Sequence, residues 1–188
     1  MRKLNRETVI AEALALLDEV GLDRISTRLL AKRLGVEQPS LYWHFPKKDA
    51  LLAEMAQAAM APHALAPLPM IGDNWYDWFL ENTRSFRRTL LIRRDGARLH
   101  AGTYPGEADT QRIIHKIAFL VSCGLSEQHA KIAMLAASHF TVGSVLEEQA
   151  ASAITSSATA HPQIDYEAAF EEGLMLILDG LAVRERRG

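Results

Sequence analysis

Two groups of side chains in this sequence have the types and spacing to do chemistry, and they lie far apart along it. The first runs from Thr27 to Lys48. The guanidinium of Arg28 is a planar fork of donors that can grip a guanine edge through two hydrogen bonds. Gln38 and Ser40 can each donate or accept at a base edge, while Thr27, Tyr42, Lys47 and Lys48 can hold phosphates. The second group begins with Asn82 and Phe86, four residues apart and so on one helix face: a polar handle one turn from an aromatic. His100 and Thr103 flank Gly102, and Glu147 stands one turn past Gly143. Bland readings compete at each point. Arg28 and the lysines could be a solvated face, Tyr42, Trp43 and Phe86 could be core aromatics, Glu147 with Glu148 could be a solvated face, and His139 reads as a core histidine.

The elements that position these groups are helices throughout. Apolar residues at Val9, Ile10, Ala13, Leu14, Leu16 and Leu17 recur at three- and four-residue spacing. Asn5 is placed as the N-cap, and Gly21 as the stop in a left-handed conformation. A second helix starts at Ser26 or Thr27 and ends at Gly35. After Gln38-Pro39-Ser40 a third carries Leu41 to His44, with Pro39 in the first turn, where its missing N–H is not needed. A fourth runs from about Lys48 to Pro62, followed by a proline-rich loop to Gly72. Asp73 or Asn74 caps a helix through Trp75 to Leu90. Further helices are expected from about Ala108 to Val121, from Ser126 to Ala151, and through Tyr166 to Leu181 after a loop from Ser152 to Pro162. No alternating β pattern and no internal repeat interrupts this, so the fold class is all-α.

The stretch Thr27 to Tyr42 therefore has the form of a helix-turn-helix. Ala31, Leu34, Val36 and Leu41 pack the two helices, Gly35 reverses the chain, and the second helix presents its N-terminal side chains to a major groove. Bulk composition hides this. With 21 Lys+Arg and 23 Asp+Glu the net charge is −2, and 48% apolar residues exclude intrinsic disorder. Residues 1–50, however, hold nine basic and seven acidic residues, leaving twelve and sixteen for the remainder. The head is positive and the body negative, the sign expected if only the head meets phosphate. A single cysteine, Cys123, excludes an intrachain disulfide framework and suits a reducing cytoplasm. No apolar run reaches membrane-spanning length, and the N-terminal residues lack a signal core.

Thr27-Arg28, Leu34-Gly35 and Glu37 to His44 resemble the DNA-binding head of the tetracycline-repressor (TetR) family. Asn82, Ser85 to Arg88, Arg94 to Ala97, His100, Gly102-Thr103 and Ser138 to Thr141 resemble the ligand-binding body of the tetracycline repressors proper. The resemblance implies a homodimeric repressor that binds palindromic double-stranded operator DNA and is released by a small-molecule effector. It implies a helix-turn-helix domain over residues 1–47 and a ligand-binding and dimerisation domain over residues 48–188, with residues 48–62 as the linking helix. Arg28, Gln38, Pro39, Ser40 and Tyr42 would contact bases, Thr27 and Lys48 phosphates, with Trp43 and His44 completing the DNA-facing set. Asn82, Phe86, His100, Thr103, Pro105, Ile113 and Lys116 would line the effector site. No cofactor is required. Mg²⁺ is expected only with a chelating ligand, on His100 and, through water, on Thr103 and Glu147.

Departures from the pattern bear on the effector. The resembled branch has a second histidine where this chain has Ala64, and His63 beside it is expected to face another way. A glutamine is expected at Lys116 and an arginine at Tyr104. Lys116 should either point away or meet an anion. Two effectors stay open: a Mg²⁺-chelated tetracycline, or a different small, partly aromatic or anionic molecule. Phe170, Leu174, Ile177, Leu178 and Leu181 are expected to join the Ser126–Ala151 helix in half of a four-helix dimer interface, with Gly173 and Gly180 allowing close approach. Packing on the chain's own core is the alternative. An effector-independent regulator is a second functional reading. A metal-assisted hydrolase using His100, His139 and Glu147 is a third, and it has no close ligand spacing behind it.

Overall fold

The computed structural model describes residues 4–104, 106–154 and 164–185. Among these every regular element is helical: α1 (Arg6–Val20), a single 3₁₀ turn (Leu22–Arg24), α2 (Thr27–Leu34), α3 (Gln38–Tyr42), α4 (Lys48–Ala59), α5 (Ala61–Ala64), α6 (Trp75–Leu91), α7 (Gly96–Ala101), α8 (Glu107–Ser122), α9 (Glu127–Ile154) and α10 (Tyr166–Glu185). They fall into two units, Met1–Pro62 with Thr89–Tyr104, and His63–Arg88 with Pro105–Gly188.

In the first unit α1 is capped as its sequence demands, the Thr8 amide donating to Asn5 Oδ1 at 2.7 Å. Its apolar stripe joins Leu30, Ala31, Leu41, Phe45, Leu51 and Met55 in one core. Ser26 caps α2 by accepting from the Leu29 amide. Gly35 ends it in the left-handed region (φ 67°, ψ 31°), and the amides of Gly35 and Val36 return to the carbonyls of Lys32 and Ala31. Gly21 departs from expectation: its φ of 78° is positive but its ψ of 165° is extended, a conformation that is essentially glycine's alone.

A polar clamp then ties residues 93–98 to the end of α1. Arg93 pairs with Asp18 at 2.6 Å and Arg98 with Asp23 at 2.7 Å. Arg94 donates to the carbonyl of Glu19, in the last turn of α1, where a cation is favoured. Asp95 accepts from the Leu22 amide at 2.8 Å and sits at φ 56°, the one non-glycine residue with positive φ among those described. Gly96 is compulsory, since a Cβ there would lie 2.1 Å from the Leu90 carbonyl oxygen. α7 starts from this corner and packs on α4.

The second unit is built on α8, α9, α10 and the N-terminal part of α6, around Phe79, Phe119, Leu120, Phe170, Leu174 and Leu178. Asn74 caps α6, accepting from the amides of Tyr76 and Asp77. Buried Arg87 pairs with Glu148 at 2.8 Å and Glu167 at 2.6 Å, its guanidinium lying over the Phe170 ring. Phe140 and Phe170 stack at 5.5 Å, and Gly173 makes room, because a Cβ there would come within 2.5 Å of the Phe140 ring.

Three sequence expectations change. The stretch after α4 is not loop from Pro62 onward but opens with the helical turn α5. The helix expected to stop at Ala151 runs to Ile154, and the rest of the loop expected up to Pro162 lies outside the described residues, as does Pro105. Phe170, Leu174, Leu178 and Leu181 are buried in the chain's own core rather than left for a partner. Four residues at that spacing fill one helix face, and that face is already covered by α9 and α6 neighbours.

Candidate DNA-binding and effector-binding sites

The head presents its polar side chains as a prepared surface. Gln38 is the first residue of α3, and its amide nitrogen donates to Thr27 Oγ1 at 2.9 Å and to Tyr42 Oη at 3.0 Å. This fixes the tip of α3 against the start of α2 and leaves the Gln38 carbonyl oxygen available. Arg28, Pro39, Trp43 and Lys48 are exposed and Ser40 and His44 partly so. Trp43 is 89% exposed and Tyr42 45%, which removes the reading of both as core aromatics. Phe45 takes that role at 2% exposure, with Arg6 over its ring and donating to the His44 carbonyl at 2.8 Å.

The residues assigned to an effector divide between the two units. In the first, His100 lies in the last turn of α7 and is half-buried. The Thr103 hydroxyl donates its hydrogen to the His100 carbonyl at 2.9 Å, so its oxygen is left to accept from a water. Behind them α4 and α7 meet in a crevice lined by Ala59, Met60, Leu90, Leu99 and His100 with no room for a water.

In the second unit Asn82 and Phe86 lie on α6, and Ile113 and Lys116 on α8. Asn82 is half-buried, Phe86 buried and Ile113 partly exposed. His63, expected to face another way, joins them. Its ring packs on Phe86 with centroids 5.4 Å apart, its Nδ1 meets Ser85 Oγ at 3.1 Å, and its Nε2 is 3.3 Å from the Lys116 ammonium. The expectation set His63 against its neighbour Ala64 on a helix, where adjacent residues face different ways; in the short turn α5, set off from α4 at Met60, it is His63 that meets Phe86. Lys116 neither points away nor pairs with a carboxylate among the described residues. It is 6% exposed, and burial pushes its ammonium down to about 8, with Arg112 adding to the effect and Asp109 opposing it.

Glu147 and Glu148, taken together as a possible solvated face, separate. Glu148 is committed to Arg87, while Glu147 and His139 are exposed along a groove of about 360 Å³ beside α9 that also includes Ile164 and Tyr166. His139 is thus not a core histidine. No cluster of three metal-ligating side chains occurs among the described residues. One imidazole and one hydroxyl make a poor home for bare Mg²⁺, which prefers oxygen and keeps its waters. They do suit a metal that arrives with a chelating ligand.

Comparison with known proteins fits this division. Residues 9–55 match the family described as bacterial regulatory proteins, tetR family, and residues 68–162 match the tetracyclin repressor-like C-terminal domain. The class A tetracycline repressor protein from transposon 1721 of Escherichia coli is 43% identical, over 98% of this chain and 93% of that protein. A TetR-family transcriptional regulator from Streptomyces coelicolor is 64% identical with a TM-score of 0.76, covering 96% of this chain and 99% of the other. The class A TetR structure in complex with 5a,6-anhydrotetracycline and magnesium is 45% identical with a TM-score of 0.83, covering 95% and 98%. Both halves of the chain match along nearly their whole length, and so the chain belongs to the TetR family of bacterial transcriptional regulators.

Proposed function

We propose that this chain is a ligand-responsive transcriptional repressor that binds a palindromic operator as a homodimer and lets go when a small-molecule effector occupies its body. The polar clamp within the first unit carries this reading. α7, which bears His100, is wired to the end of α1 through Asp95, Arg94 and Arg98, and it packs against α4, the helix that begins at Lys48. A ligand that displaces α7 cannot do so without disturbing the elements that carry the DNA-facing residues. Such a ligand shifts the equilibrium only by its differential affinity for the two arrangements. In functional terms residues 1–47 act as the DNA-binding head, 48–62 as the link, and the remainder as the effector and dimer body.

Arg28, Gln38, Pro39, Ser40 and Tyr42 read base edges, Thr27 and Lys48 hold phosphates, and Trp43 and His44 flank them. The expected effector set is Asn82, Phe86, His100, Thr103, Pro105, Ile113 and Lys116. The relatives' tetracycline and magnesium make a Mg²⁺-chelated tetracycline the first effector to try. His100 would ligate the metal, and Thr103 and Glu147 would hold its waters. The metal's contribution is to fix the ligand's chelating oxygens by charge, while the protein side chains orient and desolvate it. In the dimer, exposed Ile132 and Leu135 of α9 and Leu176 of α10 form the interface, with Gly143 and Gly180, where an added Cβ meets nothing in a single chain, allowing two helices to approach.

The test is selection from a random duplex pool followed by release. The expected product is a palindrome with half-sites ~34–36 Å apart, one turn of duplex, released by an effector in a gel-shift titration with and without Mg²⁺. Recovery of no sequence preference would overturn the regulator reading. A selected operator that no tested molecule releases would favour an effector-independent regulator.

A further inference from the structure

We infer that Lys116 and His63 form a receptor for an organic oxyanion on the effector, gripped directly by the ammonium rather than through a metal. The inference deepens the reading of the body as an effector site and rests on it. A lysine this buried is normally paired with a carboxylate, because desolvating an unpaired charge costs several kcal/mol. Here the nearest polar partner is an imidazole, 3.3 Å away, and among the described residues no ion pair involves Lys116. An uncompensated positive charge has therefore been placed in the interior beside residues already assigned to a ligand.

The imidazole is arranged to help. With Nδ1–H donated to Ser85 Oγ, Nε2 accepts from Lys116 and His63 is neutral. When an oxyanion enters, the ammonium turns to it, and the neutral imidazole in its other tautomer donates Nε2–H to the same anion while its Nδ1 accepts from the Ser85 hydroxyl. The Phe86 ring packed on His63 fixes the imidazole plane and shields the pair from water, which strengthens both hydrogen bonds. The groups that face Lys116 are His63, Arg112 and Asp109. With His63 neutral and Asp109 offsetting Arg112, the net charge of the cluster is the one on Lys116 itself, which also favours an acid over a neutral ligand.

The experiment uses the full-length dimer with benzoate and benzamide as matched probes, one charged and one neutral, at constant ionic strength in chloride. Benzoate is expected to raise the Tm progressively, as mass action requires, and benzamide is not. Lys116→Gln should weaken benzoate at least tenfold. A benzoate shift no larger than that of benzamide, or one that survives in Lys116→Gln, overturns the inference. If Lys116→Gln does not fold, ¹⁵N NMR of the lysine side chains in the native protein decides: benzoate must move the Lys116 titration upward, and an unmoved titration overturns the proposal. An operator released by Mg²⁺–tetracycline while benzoate is inert refutes this inference alone. Failure to select any operator refutes the regulator reading instead.

Discussion

In the proposed reading Arg28 and Lys48 carry the same charge and do different work. A guanidinium on a base edge discriminates, whereas an ammonium on phosphate attracts any duplex. Arg28→Ala is expected to lose ~1–3 kcal/mol of discrimination at one operator position. Lys48→Ala should weaken all DNA and lower the salt slope by about one. Gel-shift titrations on a matched and a mutated operator at several salt concentrations separate the two; an Arg28→Ala protein with intact sequence preference would sink the base-reader assignment. Lys116 gives a second prediction of a different kind. Its ammonium titrates near 8 in the folded chain and at 10.5 when exposed. Below about pH 8 both states are charged and the burial penalty is in force. Between the two values the folded state has lost its proton while the unfolded state keeps one, so stability rises with pH. The window corresponds to on the order of 3–4 kcal/mol at ~1.4 kcal/mol per pKa unit. Lys116→Met should be more stable than wild type near neutral pH and lose that advantage in alkali, as read by urea denaturation. The type of residue 116 was visible in the sequence. Its burial beside His63 was not, because a contact across 53 residues leaves no period behind.

At the level of elements, the parts that the sequence announced are those governed by local rules. The caps at Asn5 and Ser26, the stop at Gly35 and the proline at the start of α3 all depend on neighbours within four residues. The clamp between residues 93–98 and the end of α1 depends on partners about 75 residues away, so Arg94-Asp95-Gly96 reads as an unexplained polar corner until the chain is folded. Two substitutions probe these kinds of constraint. Gly35→Ala meets open space and should cost only the left-handed backbone strain of ~1–2 kcal/mol. Asp95→Ala strands the Leu22 amide and removes a partner of Arg98, at about 1–3 kcal/mol for an unsatisfied buried donor. Because the same residue links α7 to the head, Asp95→Ala should also blunt effector release more than it weakens operator binding. Thermal unfolding and gel-shift release measured on one protein preparation check both halves, and an unchanged release curve would separate the clamp from signalling.

For the whole molecule, the division of charge noted in the sequence acquires a structural reason. A head with two more basic than acidic residues is too weak a DNA ligand alone, and a palindromic site one turn long needs two heads held at a fixed spacing. Four of the five residues in the apolar stripe of α10 that suggested dimerisation are intrachain core, with Ile177 only half-buried, since period alone does not tell which neighbour covers a face. The residues left uncovered are others: Leu135 at 56% exposure, Ile132 at 55% and Leu176 at 74%. Aliphatic side chains this exposed on two neighbouring helices would be a liability in a monomer, and in the proposed interface they would supply association energy at ~25 cal/mol per Å² of apolar surface buried. Leu135→Lys with Leu176→Lys places like charges on both sides of a twofold interface, where each meets its symmetry mate or a neighbour. The double variant should sediment as a folded monomer, with helix content and the Phe79–Phe170 core unchanged because neither side chain enters that core. Its affinity for a single half-site should equal that of wild type, and its affinity for the full palindrome should fall to the half-site value, since the second head no longer binds at an effective concentration set by the first. Sedimentation velocity and paired half-site and full-site titrations measure both. A double variant that remains dimeric would move the interface off this face of α9 and α10.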